Sequence, residues 1–300
     1  MSKALRSSRA MDTQQLLKKV RRIEIKTRRL SNHLFSGEYH SSFKGRGMAF
    51  SEVRKYAAGD DIRAIDWNVS ARLNAPYIKV FEEERELTLM LLVDVSGSEN
   101  FGTRQQLKRE MVTELCATLA FSAIQNNDKV GLILFSDRVE KFIPPSKGKT
   151  HTLRIIRELI EFKPQSTKTS IAEALRFLTA FQKRQAIVFL LSDFMDQDYR
   201  DPLRIAARKH DLNGLRIYDG REKEVPKLGV LPLRDPETGE THWIDTSSRQ
   251  VRKRLYERYL QNERYFQESF TKSGAGQLSL RTDQTYTAAL LHFFKQKTRR

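Results

Sequence analysis

The residues whose types and spacing suggest chemistry are Asp94, Ser96 and Ser98, in the pentapeptide Asp94-Val95-Ser96-Gly97-Ser98. They offer one carboxylate and two hydroxyls, all hard oxygen donors suited to a hard cation such as Mg2+. Gly97 permits a tight backbone turn between the two hydroxyls. The same residues could instead cap the helix that follows. An aspartyl phosphatase or phosphotransferase would also place an aspartate here. Many of those enzymes need a second carboxylate two residues on as acid or base, and Ser96 cannot do that work.

The element that must position this group is the apolar run Leu87–Val93, LTLMLLV, interrupted only by Thr88. Such a run reads as a central strand of a parallel sheet, buried on both faces. In an open α/β sheet, ligands bind beyond the carboxyl ends of the strands. A second run, AIVFLLSD (186–193), ends in Ser192-Asp193. Parallel neighbours would bring Asp94 and Asp193 to one edge, beside the loop Pro164–Ser170, PQSTKTS.

The remaining segments support that sheet. Leu107, Met111, Leu115, Leu119 and Ile124 keep a helical period, ended by Asn126-Asn127-Asp128. KVGLILFS (129–136) reads as a strand, and Val139–Ile143 as another, stopped by Pro144-Pro145. Leu153, Ile156 and Leu159 mark a helix, as do IAEALRFLTAF (171–181) and Pro202–His210. Leu215–Tyr218 is a short strand. Strand–helix alternation of this kind indicates an α/β fold with a doubly wound, mostly parallel sheet flanked by helices. Asp235-Pro236-Glu237-Thr238-Gly239 predicts the turn of a late β-hairpin inserted near 225–247. Residues 249–272 form a charged, aromatic-rich helix with Val251, Leu255, Tyr259 and Phe266 along it. Gln277–Arg281 reads as a last strand and Thr285–Phe294 as a last helix.

Three segments are expected. Residues 1–35 are a basic helical segment, with Leu16, Val20, Ile23 and Leu30 near helical spacing. Residues 36–85 form a β-rich extension without helical period. Tyr77–Phe81 alternates like a strand there, and Gly59-Asp60-Asp61 signals a turn. Its density of Asp, Arg, Trp and Asn suggests a buried charged network, with Asp60, Asp61 or Asp66 opposite Arg63 or Arg72, or a docking surface, in preference to a catalytic centre, for which residues 60–72 lack a His or Cys nucleophile. Residues 86–300 carry the α/β domain.

The 300 residues include 54 Lys and Arg against 37 Asp and Glu, a formal net charge of +17. Such a charge favours an anionic partner: nucleic acid, a membrane surface or an acidic protein. A single cysteine, Cys116, excludes an internal disulfide and fits a reducing, cytoplasmic compartment. No apolar run approaches the about 18 residues of a transmembrane helix. The N-terminus lacks the apolar stretch of a secretory signal. Lys147-Gly148-Lys149 lacks the spaced glycines of a phosphate-binding loop.

Asp94-x-Ser96-x-Ser98, a threonine before IAEAL and Asp193 after a buried strand resemble the metal-ion-dependent adhesion site of von Willebrand factor A domains. The preceding stretch, RGMAFSEVRKYAAGDDIRAIDWNVSARLNAPYIKVFEEERELTLMLLVDVSGS, is similar to the signature of domain-of-unknown-function family 58. Those proteins are von Willebrand A-like and are often encoded beside MoxR-type AAA+ ATPases. The resemblance covers roughly residues 36–296. It implies metal ligands at Asp94, Ser96, Ser98, Thr169 and Asp193, with Thr167 as the alternative threonine. Lys168 stands where the family commonly has glycine, and its charge opposes cation binding.

The resemblance implies Mg2+, with Mn2+ or Ca2+ as alternatives, completed by an acidic side chain of a protein partner. The chain then reads as a divalent-metal-dependent protein–protein interaction module and not an enzyme, an adaptor for a MoxR-type ATPase in maturation or assembly. One alternative is binding of nucleic acid or another anionic surface, including peripheral contact with a membrane, through basic helices. A metal-dependent hydrolase is the other, and it lacks an evident base or nucleophile. His151, His210 and His242 stand apart from one another in the sequence.

Overall fold

A computed structural model describes residues 18, 20–28, 49–82, 87–96, 102–103, 106–234 and 240–298. The chain forms two compact units, one from 43–87 and one from 1–42 together with 88–300.

In the larger unit, residues 20–28 are helical (α1). Val20 and Thr27 fall on its buried side, seven residues apart, as a helical stripe requires. Val20 packs against Ala117, Phe121 and Ile156. Leu16 and Leu30 lie outside the described residues.

The smaller unit pairs strand β1 (Ala49–Lys55) antiparallel with β2 (Tyr77–Glu82), with a bulge between Phe50 and Glu52. A 3-10 turn (Ile62–Ala64) and helix α2 (Trp67–Leu73) join them. The buried charged network expected here is corrected. Asp60 takes a two-pronged ion pair from Arg54, at 2.7 and 2.8 Å, on the surface, and the Arg54 guanidinium holds its carboxyl below the usual range. Asp61 caps the 3-10 turn through the Arg63 amide. Asp66 caps α2 through the amides of Asn68 and Val69. Short aspartate side chains reach amides two or three residues on, and that local bonding took precedence over longer pairing. Arg63 and Arg72 are exposed.

The larger unit is built on β3 (Thr88–Asp94), β4 (Lys129–Phe135), β5 (Val139–Ser146), β6 (Ile187–Ser192), β7 (Asp211–Tyr218) and β10 (Gly276–Arg281). Between the last two, β8 (Val230–Arg234) and β9 (Thr241–Asp245) form the separate late hairpin. The turn at 235–239 lies outside the described residues. The main sheet has six strands in the order β10-β7-β6-β3-β4-β5. All neighbours are parallel except β5, which runs antiparallel on β4. β5 continues through Pro144 and Pro145 to Ser146 instead of stopping before them. It is the outermost strand, and its pairing with β4 shifts register across the two prolines, between the Leu132–Ile143 and Val130–Ser146 pairs, so their missing N–H groups fall at an irregularity of an edge strand.

Helices cover both faces. They are α3 (Lys108–Gln125), α4 (Lys149–Glu161), α5 (Ile171–Phe181), α6 (Arg200–Lys209), α7 (Gly220–Lys223), α8 (Arg249–Lys272) and α9 (Tyr286–Thr298). Met90 and Leu92 of β3 point into a core with Leu175, Leu178, Leu203, Phe266 and Phe270 from α5, α6 and α8. Leu89, Leu91 and Val93 alternate to the opposite face, on the side of α3 and α4. From Leu89 to Val93 no side chain is more than 2% exposed, which explains the uninterrupted apolar run. Gly214 of β7 admits the ring of Phe270, which would lie 2.4 Å from a Cβ placed there.

Candidate functional site

The register pairs Val93 with Leu191, so Asp94 and Ser192 stand one step further along adjacent parallel strands. The Ser192 hydroxyl donates to Asp94 Oδ2 at 2.7 Å. The Ser96 amide donates to Oδ1 at 2.9 Å, closing the turn after β3. Asp94 is 1% exposed and Ser96 fully buried. Burial, and next the neighbouring charge of Asp193, push the Asp94 carboxyl up to about 7, against the bonds from Ser192 and Ser96. Ser98 lies outside the described residues.

Asp193 follows β6 and is 3% exposed. Its Oδ1 accepts from the Met195 amide at 3.3 Å. Its Oδ2 accepts from Lys108 Nζ at 3.2 Å. Lys108, in the first turn of α3, is itself buried, and its ammonium lies 2.7 Å from Glu222 Oε1 of α7. Burial raises the Glu222 carboxyl, and Lys108 opposes that rise. Behind Asp193, the buried Arg216 of β7 donates from Nε to the Asp193 carbonyl at 3.4 Å. Its Nη1 reaches Glu263 at 3.1 Å, and its guanidinium sits 4.7 Å over the Tyr259 ring.

The loop at 164–170 is tied to the same edge. The Ser170 amide donates to the Ser136 carbonyl at 2.8 Å. Asp196, in the segment after β6, accepts from the Ile171 amide at 2.8 Å and so caps α5 from another element. The buried Glu140 carboxylate accepts from the Ser136 hydroxyl and from the amides of Gln165 and Ser166. Thr169 is half-buried in this loop, and Thr167 and Lys168 are exposed. Among the described contacts, no hydrogen bond joins Thr169 to Asp94 or Asp193.

The structure therefore brings Asp94, Ser96 and Asp193 to one edge of the sheet, with the Thr169 loop anchored there. Sequence reasoning missed Lys108, Glu222, Arg216, Glu140 and Asp196. One of them carried a signal. Lys108 continues the apolar stripe Met111, Leu115, Leu119 backward by three residues, so a lysine stood on a buried face. The others are charged residues with partners more than twenty positions away, Glu140 having also the nearby Ser136 hydroxyl. The histidines lie elsewhere. His151 bonds the Val130 carbonyl at 2.8 Å, His210 is buried, and His242 is 3.5 Å from Glu240 on the surface.

Among the described residues, no cluster of three or more His, Cys, Asp or Glu side chains is arranged to hold an ion unaided. The chemistry still fits a hard divalent cation. The candidate ligand atoms are all oxygens, and among the described contacts the buried Asp94 carboxyl is met by neutral donors. Asp193 and Glu222 share the Lys108 ammonium, and Asp94 lies close enough to Asp193 for that charge to raise its carboxyl.

The family described as "Protein of unknown function DUF58" matches residues 52–265. The chain is 26% identical over 294 residues to Uncharacterized protein Rv1480 of Mycobacterium tuberculosis, covering 96% of this chain and 92% of that one. It is 25% identical over 160 residues to Uncharacterized protein MAV169 of Mycobacterium avium, covering 52% of this chain and 94% of the relative. Among solved structures it is similar to the conserved hypothetical protein BatB of Bacteroides thetaiotaomicron, with a TM-score of 0.44, 14% identity and coverage of 71% of this chain and 100% of that one. It is also similar to the SpRpn10 VWA domain, with a TM-score of 0.39, 10% identity and coverage of 71% and 95%.

Proposed function

The chain belongs to the DUF58 family, and from that premise we propose that it is a divalent-cation-dependent protein-binding module with its site at Asp94, Ser96, Ser98, Thr169 and Asp193. One observation carries the reading: two buried aspartates at the ends of adjacent parallel strands, one of them held, among the described contacts, by neutral donors. Bound Mg2+, with Mn2+ or Ca2+ as alternatives, would supply an electrophilic position for a partner's carboxylate oxygen.

The chain's own residues do the positioning. Ser192 and the Ser96 amide fix both oxygens of Asp94. The Met195 amide and Arg216 fix Asp193 and its backbone. Asp196 and Glu140 anchor the loop that carries Thr169. The formal charge of +17 speeds encounter with an acidic partner. The resemblance to proteins encoded beside MoxR-type AAA+ ATPases makes such an ATPase the first partner, with this chain as its adaptor in the cytoplasm. Among the described residues, no helix is long and apolar enough to cross a membrane. Binding of nucleic acid rests on charge alone.

The test is capture of the ATPase by the purified chain in Mg2+ and in chelator, beside Asp94→Ala. Binding lost both in chelator and in the variant is the expected result. Equal binding by a folded Asp94→Ala in chelator refutes the reading.

A further inference from the structure

Lys108 is a lysine where a lysine is costly. It lies on the buried stripe of α3, its side chain is 2% exposed, and its neighbours at 111–113 are buried too. A buried ammonium persists only when paired. Two carboxylates from different elements meet it, Asp193 after β6 at 3.2 Å and Glu222 of α7 at 2.7 Å. The ammonium sits closer to Glu222 and has three donor hydrogens. Glu222 is presented by a short turn of helix capped by the buried Asp219, which accepts from the Arg221 amide at 2.9 Å and from Thr282 at 3.3 Å. Glu222 can therefore keep the ammonium after Asp193 has released it.

We propose that Lys108 is a tethered cation of this site. Its ammonium competes with a divalent ion for Asp193 and retreats onto Glu222 when the ion enters. The Lys108–Glu222 pair thereby sets the ion affinity of the module. The inference rests on the cation-dependent reading above. It adds two residues, on α3 and α7, that the resemblance does not include.

The experiment measures Mn2+ binding by calorimetry to the full chain and to Lys108→Met, Glu222→Gln and Lys141→Met. The last removes a lysine paired with Glu158 away from the site and controls for net charge. Lys108→Met should bind Mn2+ at least about tenfold more tightly, the scale of removing a unit charge at close range. Glu222→Gln should bind several-fold more weakly, because the ammonium then has Asp193 as its remaining site carboxylate. Lys141→Met should match the wild type. Binding by the wild type with no change in Lys108→Met overturns the inference and leaves the cation-dependent reading standing. Binding by Lys108→Met but not by the wild type supports the inference and overturns cation dependence in the native chain. No binding by any of them overturns both. Should Lys108→Met fail to fold, Glu222→Gln decides alone, and tighter or unchanged binding there refutes the proposal.

Discussion

Arg216→Met tests whether the site is braced from behind by α8. Arg216 is buried and joins three elements: its own strand β7, the Asp193 carbonyl after β6, and Glu263 with Tyr259 on α8. A charged hydrogen bond contributes about 1.5–3 kcal/mol, and a desolvated cation–π contact about 2 kcal/mol. Methionine fills much of the same volume and removes the desolvation penalty of the guanidinium, which offsets part of this. Glu263 is 22% exposed, so its carboxylate regains some water. The net expected loss is about 2–4 kcal/mol, read by urea unfolding at neutral pH with unchanged m-value. Glu263→Gln alone should lose about 1 kcal/mol, and the double variant should fall short of the sum by about 1–2 kcal/mol. Additive losses, or a loss below about 1 kcal/mol for Arg216→Met, would refute the brace. With the Asp193 backbone released, Mn2+ binding should weaken as well.

Gly214→Ala should lose about 2–3 kcal/mol by the same assay, because the new Cβ meets the buried rings of Phe270 at 2.4 Å and Phe266 at 3.0 Å; a loss under about 0.5 kcal/mol would mean α8 is free to shift. His210 is held neutral: burial, then Lys209, lower its pKa from 6.5 to about 4. Its contribution is therefore complete above the unfolded-state value and is lost as pH falls toward the folded one. Between pH 7 and pH 5 that amounts to about 2 kcal/mol, and His210→Gln should flatten the pH dependence of urea unfolding by that amount.

The sheet was legible because the physics that forms it is written locally. Leu89–Val93 and Ile187–Leu191 are apolar without alternation since both faces are buried, and each run ends at an aspartate. The late hairpin was legible for the same reason: turn residues stand between two short strands. Pro144 and Pro145 misled because a proline stops a central strand and is tolerated on an edge one, and edge position is a property of the assembled sheet. The Asp60–Arg72 segment misled because its aspartates look alike in sequence. Backbone amides two or three residues on satisfy Asp61 and Asp66, and Arg54, upstream of the segment, satisfies Asp60. Lys108 and Asp193 are 85 positions apart, so their pairing is a property of the assembled sheet and not of either segment.

The two aspartates at the site edge are not equivalent, and the difference follows from their partners. Asp94 is met by a hydroxyl and an amide, which orient its oxygens but do not offset the burial and the Asp193 charge that raise its carboxyl. Asp193 is met by an ammonium, which compensates the charge and occupies one oxygen. In the cation-dependent reading proposed above, an ion at this edge would meet neutral donors around Asp94 and an ammonium already on Asp193. Coordination centred on Asp94 leaves more of the ion's charge exposed than two free carboxylates would, and an acidic partner residue is what that residual charge attracts. On that reading, a lysine that weakened the ion's hold on the protein would be compatible with a stronger hold on the partner.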